Sequence, residues 1–532
     1  MNFSLECVLC NLLYKDKAQK VCPKCGLIKY FIDKIHIDCL HATISPKYFY
    51  FCLMPDNEKT TISNLLPKNI AWVTLVVFGL LLIASCVYFK ERILFIDAPH
   101  QLFRMINDGE WQILDSRYGS MISQAFPFYG AKMHLPLRWL MLLYSSGFYI
   151  FYLLVALLLV FRYKNYGLAL LFALYLTLFV SEAFYTTTTE GFGLLFLAFG
   201  SSFYVANKYK SNLVLLVVFV LSFALAMWTH PLVILVAVYL WFFFWLRGIE
   251  WPFTKVQSWV LSIILFTIAI GKIHQGNHQG YDGSKFEVLT HFNLHSLLEL
   301  GHAPQFKFFV HGCISNYWLF VLIFLAGLTA LAYQKKYLLF LLTLFSTMGY
   351  CVLVIITFWD IHSNRFYIES EYMPVTIISS APFVYYFLPR LNKKVALWLV
   401  IAIFSIRGIY IINAAPVFTN RVEMVGSILG KMKERGITKL IVPGPVAQVD
   451  KVMLMNWALP AESMVLSSLN GDQPQRTFVF ADTHEIKSLV LTGKDIMIGC
   501  WEKRPIGKFN TFYFKPDTSR LYKVMSFEVL MK

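Results

Sequence analysis

Long apolar stretches separated by short polar segments make up most of the chain before residue 416. The runs from Asn69 to Phe89 and from Ser211 to Trp228 approach or exceed the roughly 18 to 20 residues with which a helix crosses a bilayer. Period-2 alternation, which is typical of a membrane β-barrel, is absent, so these runs predict helices. By length there are about eleven predicted spans. They lie near residues 70–89, 139–161, 167–183, 189–206, 212–229, 231–247, 257–273, 314–334, 337–357, 372–389 and 395–414.

The pattern changes after Pro416. A helical segment, "RVEMVGSILGKMKERG", precedes short apolar runs punctuated by Pro, Gly and Asp, which are typical of strands. The predicted strands are "KLIV", "RTFVFAD", "DIMIGCW", "NTFYFKP" and "LYKVMSFEVLM". We therefore predict a polytopic α-helical membrane protein, with a transmembrane domain over residues 69–415 and a C-terminal soluble α/β domain over residues 416–532.

Composition supports a membrane protein, because 57% of the residues are hydrophobic and only 15% are charged. The net charge of +16 raises nucleic-acid binding as a rival explanation. However, basic residues collect in the short loops after the second, fourth, sixth, eighth and tenth predicted spans, where membrane topology accounts for them. We therefore expect no nucleic-acid partner.

The loops on the other side are poor in basic residues, since 181–190, 228–231 and 358–371 together contain one Arg and no Lys. A local exception is the basic pair Lys90 and Arg92. The positive-inside rule therefore predicts a cytoplasmic N-terminus and an extracytoplasmic C-terminal domain. We expect an integral protein of a bacterial inner membrane, with its C-terminal domain in the periplasm.

Four cysteines near the N-terminus are spaced for metal binding. Cys7 and Cys10 form one C-x2-C pair, and Cys22 and Cys25 form a second. Two such pairs suit tetrahedral coordination of zinc by thiolates, and a cytosolic location disfavours disulfides. We predict a zinc-ribbon-like segment over residues 1–60 that holds a structural zinc ion. The alternative is four reduced thiols without a metal.

Ionisable residues collect on the predicted outer face. Asp97 opens the first outer loop, and the residues after it have the spacing of an amphipathic helix at the membrane interface. The other candidates in outer loops are Glu182, Glu190, His230, Asp360, His362, Arg365 and Glu369. Each alone is explained by a helix cap or a solvated loop, but their grouping predicts a site. Arg407 lies inside the last predicted span, where a charge is costly unless it snorkels or faces a partner.

This layout resembles the glycosyltransferase C superfamily, which includes protein O-mannosyltransferases, bacterial aminoarabinose transferases and oligosaccharyltransferases. The similar features are the acid and amphipathic helix of the first outer loop, the acids of the second, a "THP" turn, and "NRFYIESEYMP" before a late span. The similarity covers roughly residues 70–415 and concerns layout more than a strict signature. It implies an inverting transferase that takes a sugar from a polyprenyl-phosphate donor on the outer side of the membrane.

The resemblance also implies residue roles. Asp97 corresponds by position to the catalytic carboxylate of the first loop, and Glu182 or Glu190 to the acid of the second. Many relatives have two adjacent acids in the first loop, whereas here Asp97 is followed by Ala98, Pro99 and His100. This departure weakens the case for a divalent metal at the outer site, with His100 as the candidate substitute partner. The residues expected to bind donor or acceptor are Arg104, His230, Asp360, His362, Arg365, Glu369 and Arg407.

The reaction explains why these residue types are needed. A carboxylate that removes the proton of the acceptor hydroxyl contributes about 10²- to 10⁴-fold to the rate, and Asp97 is the candidate. Arg365 or Arg407 would stabilise the departing phosphate. The expected partners are membrane lipid, a polyprenyl-phosphate-linked sugar and an unidentified acceptor. Two other classes stay open, a multi-span transporter or lipid flippase and a non-enzymatic membrane scaffold.

Overall fold

The computed structural model describes residues 66–113, 117–187, 213–248, 251, 253–276, 280–290, 293–359, 364–444, 451–499 and 502–532. Several predictions fall outside these residues. They are the zinc ribbon with Cys7, Cys10, Cys22 and Cys25, the span at 189–206, and the candidates Glu190, Asp360 and His362.

The described part of the chain is mainly helical, as the apolar runs predicted. Before the C-terminal domain, the helices are α1 (Lys68–Val87), α2 (Phe89–Ile93), α3 (Asp97–Asp108), α4 (Met121–Lys132), α5 (Leu137–Leu157), α6 (Tyr166–Tyr175), α7 (Leu213–Met227), α8 (Pro231–Arg247), α9 (Lys255–Gly276), α10 (Gly280–Thr290), α11 (Leu294–Glu299), α12 (Pro304–Ser315), α13 (Trp318–Tyr333), α14 (Tyr337–Thr357), α15 (Arg365–Tyr372), α16 (Val375–Pro382) and α17 (Lys393–Glu434).

Five of the described helices are long and apolar enough to cross a membrane, namely α1, α5, α9, α14 and α17. Helices α12 and α13 meet at an angle of 84° and would together make a sixth span. Helices α6 and α8 are apolar but shorter. Several membrane-spanning helices are therefore supported, whereas the predicted number of eleven is not confirmed.

One predicted span is broken, and a second is helical throughout but changes its helix type along its length. The run predicted at 167–183 is helical only to Tyr175 and continues as turns, with a short 3-10 helix at Ala183–Tyr185. The run predicted at 372–389 divides into α16, a π-helical segment at Phe383–Phe387 and a 3-10 turn. Hydropathy alone could not show these departures, because the residues at them are as apolar as those of the regular helices.

Helix α17 joins the membrane part to the C-terminal domain without a break. It runs through Pro416, so the change of pattern predicted there falls within a continuous helix. Its 42 residues extend for about 60 Å. The first half packs in the apolar core of the membrane part, for example through Phe404 and Phe418, and the second half packs through Val425 and Ile428 in the core of the C-terminal domain.

The C-terminal domain is α/β, as predicted. Strands β1 (Lys439–Gly444), β2 (Thr477–Asp482) and β5 (Lys523–Val524) form a parallel sheet in the order β2-β1-β5. Strands β3 (Ile496–Ile498) and β4 (Lys503–Pro505) form an antiparallel pair. The domain also contains α18 (Leu459–Leu469), α19 (Thr483–Val490) and α20 (Phe527–Met531).

Two predicted strands are wrong in whole or in part. The run "LYKVMSFEVLM" is a strand only at Lys523–Val524 and is helical at Phe527–Met531, and "NTFYFKP" forms no strand of the two sheets. The carbonyl of Asn510 accepts the backbone N–H groups of Tyr513 and Phe514, which makes a turn. The aromatic rings of Tyr513 and Phe514 are buried in the core of the domain. The sequence pattern predicts these apolar residues as one face of a strand, but they belong to a turn and pack into the core from there.

Helix α3 forms at the predicted place, but its apolar side does not face lipid. Leu102, Phe103, Met105 and Ile106 are all buried in the core that α3 shares with the C-terminal domain. The ring of Phe103 lies 5.2 Å from that of Phe509 and 5.0 Å from that of Phe514. The interfacial location predicted for α3 is therefore replaced by docking to the C-terminal domain.

Candidate functional site

Asp97 is the first residue of α3, at the end of a strained turn. The preceding residue, Ile96, has φ +53° and ψ −119°, a conformation that a β-branched residue rarely adopts. Such strain costs on the order of 1–3 kcal/mol and persists only where the surroundings impose it. Ile96 is buried while Asp97 is half-buried, so the turn presents the carboxylate at the edge of the packed core.

Glu182 lies in the turns after α6, beside the start of α15. Its Oε1 is 3.6 Å from Nη1 of Arg365, which is the more exposed partner. Burial, together with the nearby charge of Glu369, raises the pKa of Glu182 to about 7, although Arg365 and a hydrogen bond from the backbone N–H of Phe366 act in the opposite direction. A carboxyl group that titrates near neutral pH and has a cationic partner suits acid–base chemistry.

Phe366 contacts both the segment before Asp97 and the side chain of Glu182. Its ring lies edge-on to the ring of Phe95, 4.9 Å between centroids, two residues before Asp97. Its backbone N–H is the group that hydrogen-bonds Glu182. The segment before Asp97 and the Glu182 turns therefore both pack on the start of α15.

Glu369, a predicted binding residue, is instead used to hold the Glu182 turns. Its Oε2 accepts the backbone N–H groups of Ser181 and Ala183, both at 2.7 Å. Its Oε1 accepts the hydroxyls of Ser181 and Tyr317. The carboxylate is fully buried, and these four donors give it a structural role.

Arg407 also has a structural environment. Its Nε, Nη1 and Nη2 donate to the backbone carbonyls of Thr177, Asn316 and Val180 at 3.0, 2.5 and 2.7 Å. These carbonyls lie where α6 has ended and where α12 bends into α13, so they lack helical partners. Arg407 therefore satisfies the backbone at two breaks, and we do not include it in the proposed phosphate site.

Four further residues, one histidine and three with cationic side chains, are described with these acids. Only the histidine, His230, is predicted from the sequence. The others are Arg117, Lys272 and Lys285. The turn after Arg117 packs tightly on the turn before His230, since a Cβ on Gly119 would come 2.0 Å from Cγ2 of Thr229. Nδ1 of His230 accepts the backbone N–H of Leu232 at 3.2 Å.

Burial, with the charges of Arg117 and Lys272 adding to it, holds the pKa of His230 well below its usual value. His230 is therefore neutral at physiological pH beside two cations. Lys272 is only 1% exposed. The sequence contained no clear signal for it, because Lys272 lies one residue from the end of the predicted span 257–273, where a lysine can reach the membrane surface.

Tyr367 links the acidic and basic groups. Burial raises its pKa to about 12, and the charges of Asp97 and Glu371 add to the rise while that of Arg117 opposes it. Lys285 is also within the influence of Glu371, although burial lowers its pKa. The site thus contains both an acidic part around Asp97 and Glu182 and a basic part around Arg117 and Lys272.

His100 and Arg104 lie on the side of α3 that faces the C-terminal domain. The ring of His100 lies 6.1 Å from that of Trp457, edge-on. Burial, helped by Arg104 and Arg504, lowers the pKa of His100 to about 4, so it is uncharged at neutral pH. Arg104 pairs with Asp108 at 3.0 Å. These contacts favour an interdomain role for both residues.

Among the residues that the structure describes, no three His, Cys, Asp or Glu side chains are arranged to hold a metal ion. A divalent metal at the outer acidic site stays the weak expectation that it was from the sequence, because Glu190, Asp360 and His362 lie outside the described ranges. The structural zinc predicted at the N-terminal cysteines stays a prediction, because those residues lie outside the described ranges.

Together, the fold and the site define a helical protein with several helices able to span a membrane, with acidic and basic side chains on the turns and helix ends around α15. No protein-family model, curated protein sequence or solved structure matches the chain. The function is therefore argued from these side chains.

The thermal stability of the protein should fall as pH rises from about 5 to about 8, because of Glu182. Its folded pKa of about 7 exceeds the ordinary 4.5, so the folded state binds this proton more tightly than the unfolded state. The stabilisation is complete below the unfolded pKa and is lost as pH rises through the folded one. Melting curves of wild type and Glu182→Gln should show this loss, roughly 1–3 kcal/mol, only in wild type.

The control for this measurement is Glu110→Gln, which alters an exposed glutamate two residues after the end of α3. It should keep the wild-type pH dependence. A wild-type slope in Glu182→Gln would show that another group causes the loss.

Proposed function

We propose that this chain is a membrane-embedded glycosyltransferase. It would move a sugar from a polyprenyl-phosphate donor to a glycan, lipid or protein acceptor on the extracytoplasmic face. The observation that supports the proposal is the packing around α15, where Phe366 contacts Phe95, two residues before Asp97, and Arg365 pairs with Glu182. Carboxylates and a half-exposed arginine at the ends of apolar helices suit a reaction between a lipid-borne donor and a water-borne acceptor.

In the proposed reaction, the Asp97 carboxylate takes the proton of the acceptor hydroxyl. An electron pair on the acceptor oxygen then forms a bond to the anomeric carbon, while the bond from that carbon to the phosphate oxygen breaks. The phosphate leaves on its polyprenyl chain with the electron pair, and the configuration at the anomeric carbon inverts. Each atom is accounted for without a further reactant.

Glu182 and the basic groups support the two ends of this reaction. Glu182 would hold a sugar or acceptor hydroxyl by a hydrogen bond, in either protonation state at neutral pH. Arg365 would stabilise the phosphate as its negative charge grows, because a guanidinium binds phosphate oxygens in pairs. Arg117 and Lys272 would add positive charge near the same region.

The test is a comparison of surface glycans, lipid A and glycoproteins from a strain that lacks the gene. Complementation with the wild-type gene should restore the mass of one added sugar on one of these acceptors, and complementation with Asp97→Asn should not. Equal glycan masses with and without the gene, with all three acceptor classes measured, would rule out the proposed activity.

Topology supplies a second test. The proposal requires a cytoplasmic N-terminus and places residues 97 and 182 on the periplasmic side. In a background without native cysteines, Asp97→Cys and Arg365→Cys, the latter at the half-exposed partner of Glu182, should both react with a membrane-impermeant maleimide in intact cells made permeable only at the outer membrane. Labelling of one position and not the other, while both react after lysis, would contradict the arrangement.

A second candidate is a transporter or lipid flippase, and the buried Lys272 is the observation that favours it. A transporter would move its substrate without forming a new covalent product. It would therefore show a translocation defect in a Lys272→Met variant while every glycan mass stays the same.

A further inference from the structure

The turn that carries Asp97 is attached to the C-terminal domain through one buried arginine. Nη1 of Arg421, on α17, donates to the backbone carbonyl of Leu94 at 2.6 Å, three residues before Asp97. Its Nε donates to the carbonyl of Met453 at 2.9 Å, and its Nη2 to that of Met455 at 3.2 Å. A single side chain therefore ties the Asp97 turn to a segment of the C-terminal domain.

The charge of Arg421 is matched by Glu462 of α18. Nη2 donates to Oε2 of Glu462 at 2.6 Å, and Nη1 contacts the other carboxylate oxygen. The two residues are 1% and 0% exposed. Both oxygens of the carboxylate and all three nitrogen atoms of the guanidinium are thus engaged, which is the condition under which a buried ion pair is tolerated.

The position of this contact gives it a specific consequence. Leu94 lies two residues before the strained Ile96, and a conformation such as that of Ile96 needs support from its surroundings. The guanidinium of Arg421 also lies 4.9 Å from the ring centroid of Phe95. Arg421 therefore contacts both residues that lead into the strained one.

The far end of α3 is held by the same domain. Arg504 of β4 binds Asp108 through two nitrogen atoms, at 2.9 and 3.1 Å. The backbone N–H of Asn510 donates to Oδ1 of Asn107 at 2.9 Å. The C-terminal domain therefore contacts α3 along its whole length. It contacts the turn before the helix through Arg421, the middle through the apolar core, and the end through Arg504 and Asn510.

We propose that the C-terminal domain positions Asp97, and that Arg421 and Glu462 are the positioning residues. They hold the 94–96 turn in the strained conformation from which α3 starts at Asp97. The physical claim concerns the conformation of the turn and stands by itself. Its effect on catalysis rests on the proposed glycosyltransferase function.

The variant that tests this replaces both partners, as Arg421→Met with Glu462→Leu. Removal of a whole buried ion pair in favour of apolar side chains is often neutral for stability, whereas removal of one partner is strongly destabilising. The double variant therefore deletes the tie to Leu94 and leaves a folded domain. The matched control is Arg476→Met with Asp472→Leu, a buried ion pair of the same domain with an N–O distance of 3.4 Å.

The first measurement is hydrogen exchange of the full-length protein in lipid nanodiscs, followed by mass spectrometry. Peptides that cover residues 93–98 should exchange about tenfold faster in the Arg421/Glu462 double variant, because the turn opens locally. Peptides of β1 and β2 should keep their wild-type protection, and the control double variant should leave 93–98 unchanged. Unchanged exchange at 93–98, with the domain folded, would overturn the proposal.

The second measurement is steady-state kinetics of sugar transfer. The Arg421/Glu462 double variant should lower kcat by about tenfold with KM within about twofold of wild type, because the donor and acceptor sites remain while the base is misplaced. An equal rise in KM without a change in kcat would refute positioning of the base. Failure to find any transfer by the wild type would count against the proposed function alone, since the exchange result decides the positioning claim.

Discussion

Asp97→Asn should reduce sugar transfer by about 10²- to 10⁴-fold, because asparagine keeps the shape of the side chain but cannot accept the acceptor proton. The substitution should leave the protein folded, since Asp97 is half-buried and its turn is held by groups other than its own carboxylate. The loss should appear in kcat more than in KM. Transfer assays on purified protein in nanodiscs with a polyprenyl-phosphate sugar would measure it.

The matched control for Asp97→Asn is Glu110→Gln, which removes an exposed carboxylate beyond the end of α3. Its transfer rate should equal that of wild type. A wild-type rate for Asp97→Asn would remove Asp97 from the catalytic role and leave Glu182 as the remaining acid of the candidate site.

Glu369→Ala should lower the free energy of unfolding by roughly 2–5 kcal/mol, because several buried donors lose their only shared acceptor. The backbone N–H groups of Ser181 and Ala183 both donate to Oε2 of Glu369 at 2.7 Å. Without it, the turns that carry Glu182 lose their buried anchor on α15 and keep only the contacts of Glu182 with Arg365 and Phe366. Chemical denaturation in detergent micelles, followed by intrinsic fluorescence, would measure the loss.

Ser370→Ala is the control on the same helix. Ser370 donates one hydrogen bond, to the carbonyl of Tyr367 at 2.7 Å, so its removal should cost about 1 kcal/mol or less. If Glu369→Ala were no more harmful than Ser370→Ala, Glu369 would not be the anchor of the Glu182 turns.

The helical elements could be predicted from the sequence because apolar length and periodicity are local properties. The run at 337–357 matches α14, and the run at 70–89 matches α1 within two residues. The broken helices could not be predicted, because the partner that makes each break tolerable is distant. Arg407 serves carbonyls at Thr177 and Val180, 230 and 227 residues away.

The acidic residues of the candidate site could be chosen from the sequence, but the role of each one could not. Residue type and loop position led to Asp97, Glu182 and Arg365. The same signals also led to Glu369 and His100, whose environments make one an anchor and the other an uncharged interdomain contact. Burial and partner geometry separate these cases, and neither can be obtained from one residue and its neighbours in the chain.

Because α3 docks on a domain made much later, its apolar side stays uncovered for part of protein synthesis. Asn107 and its partner Asn510 are 403 residues apart in the chain. At ribosomal rates of 5–20 residues per second, the apolar side of α3 waits roughly 20–80 s for its cover to be made. Newly made protein should therefore bind chaperones of the outer compartment through this helix, until the last part of the chain arrives.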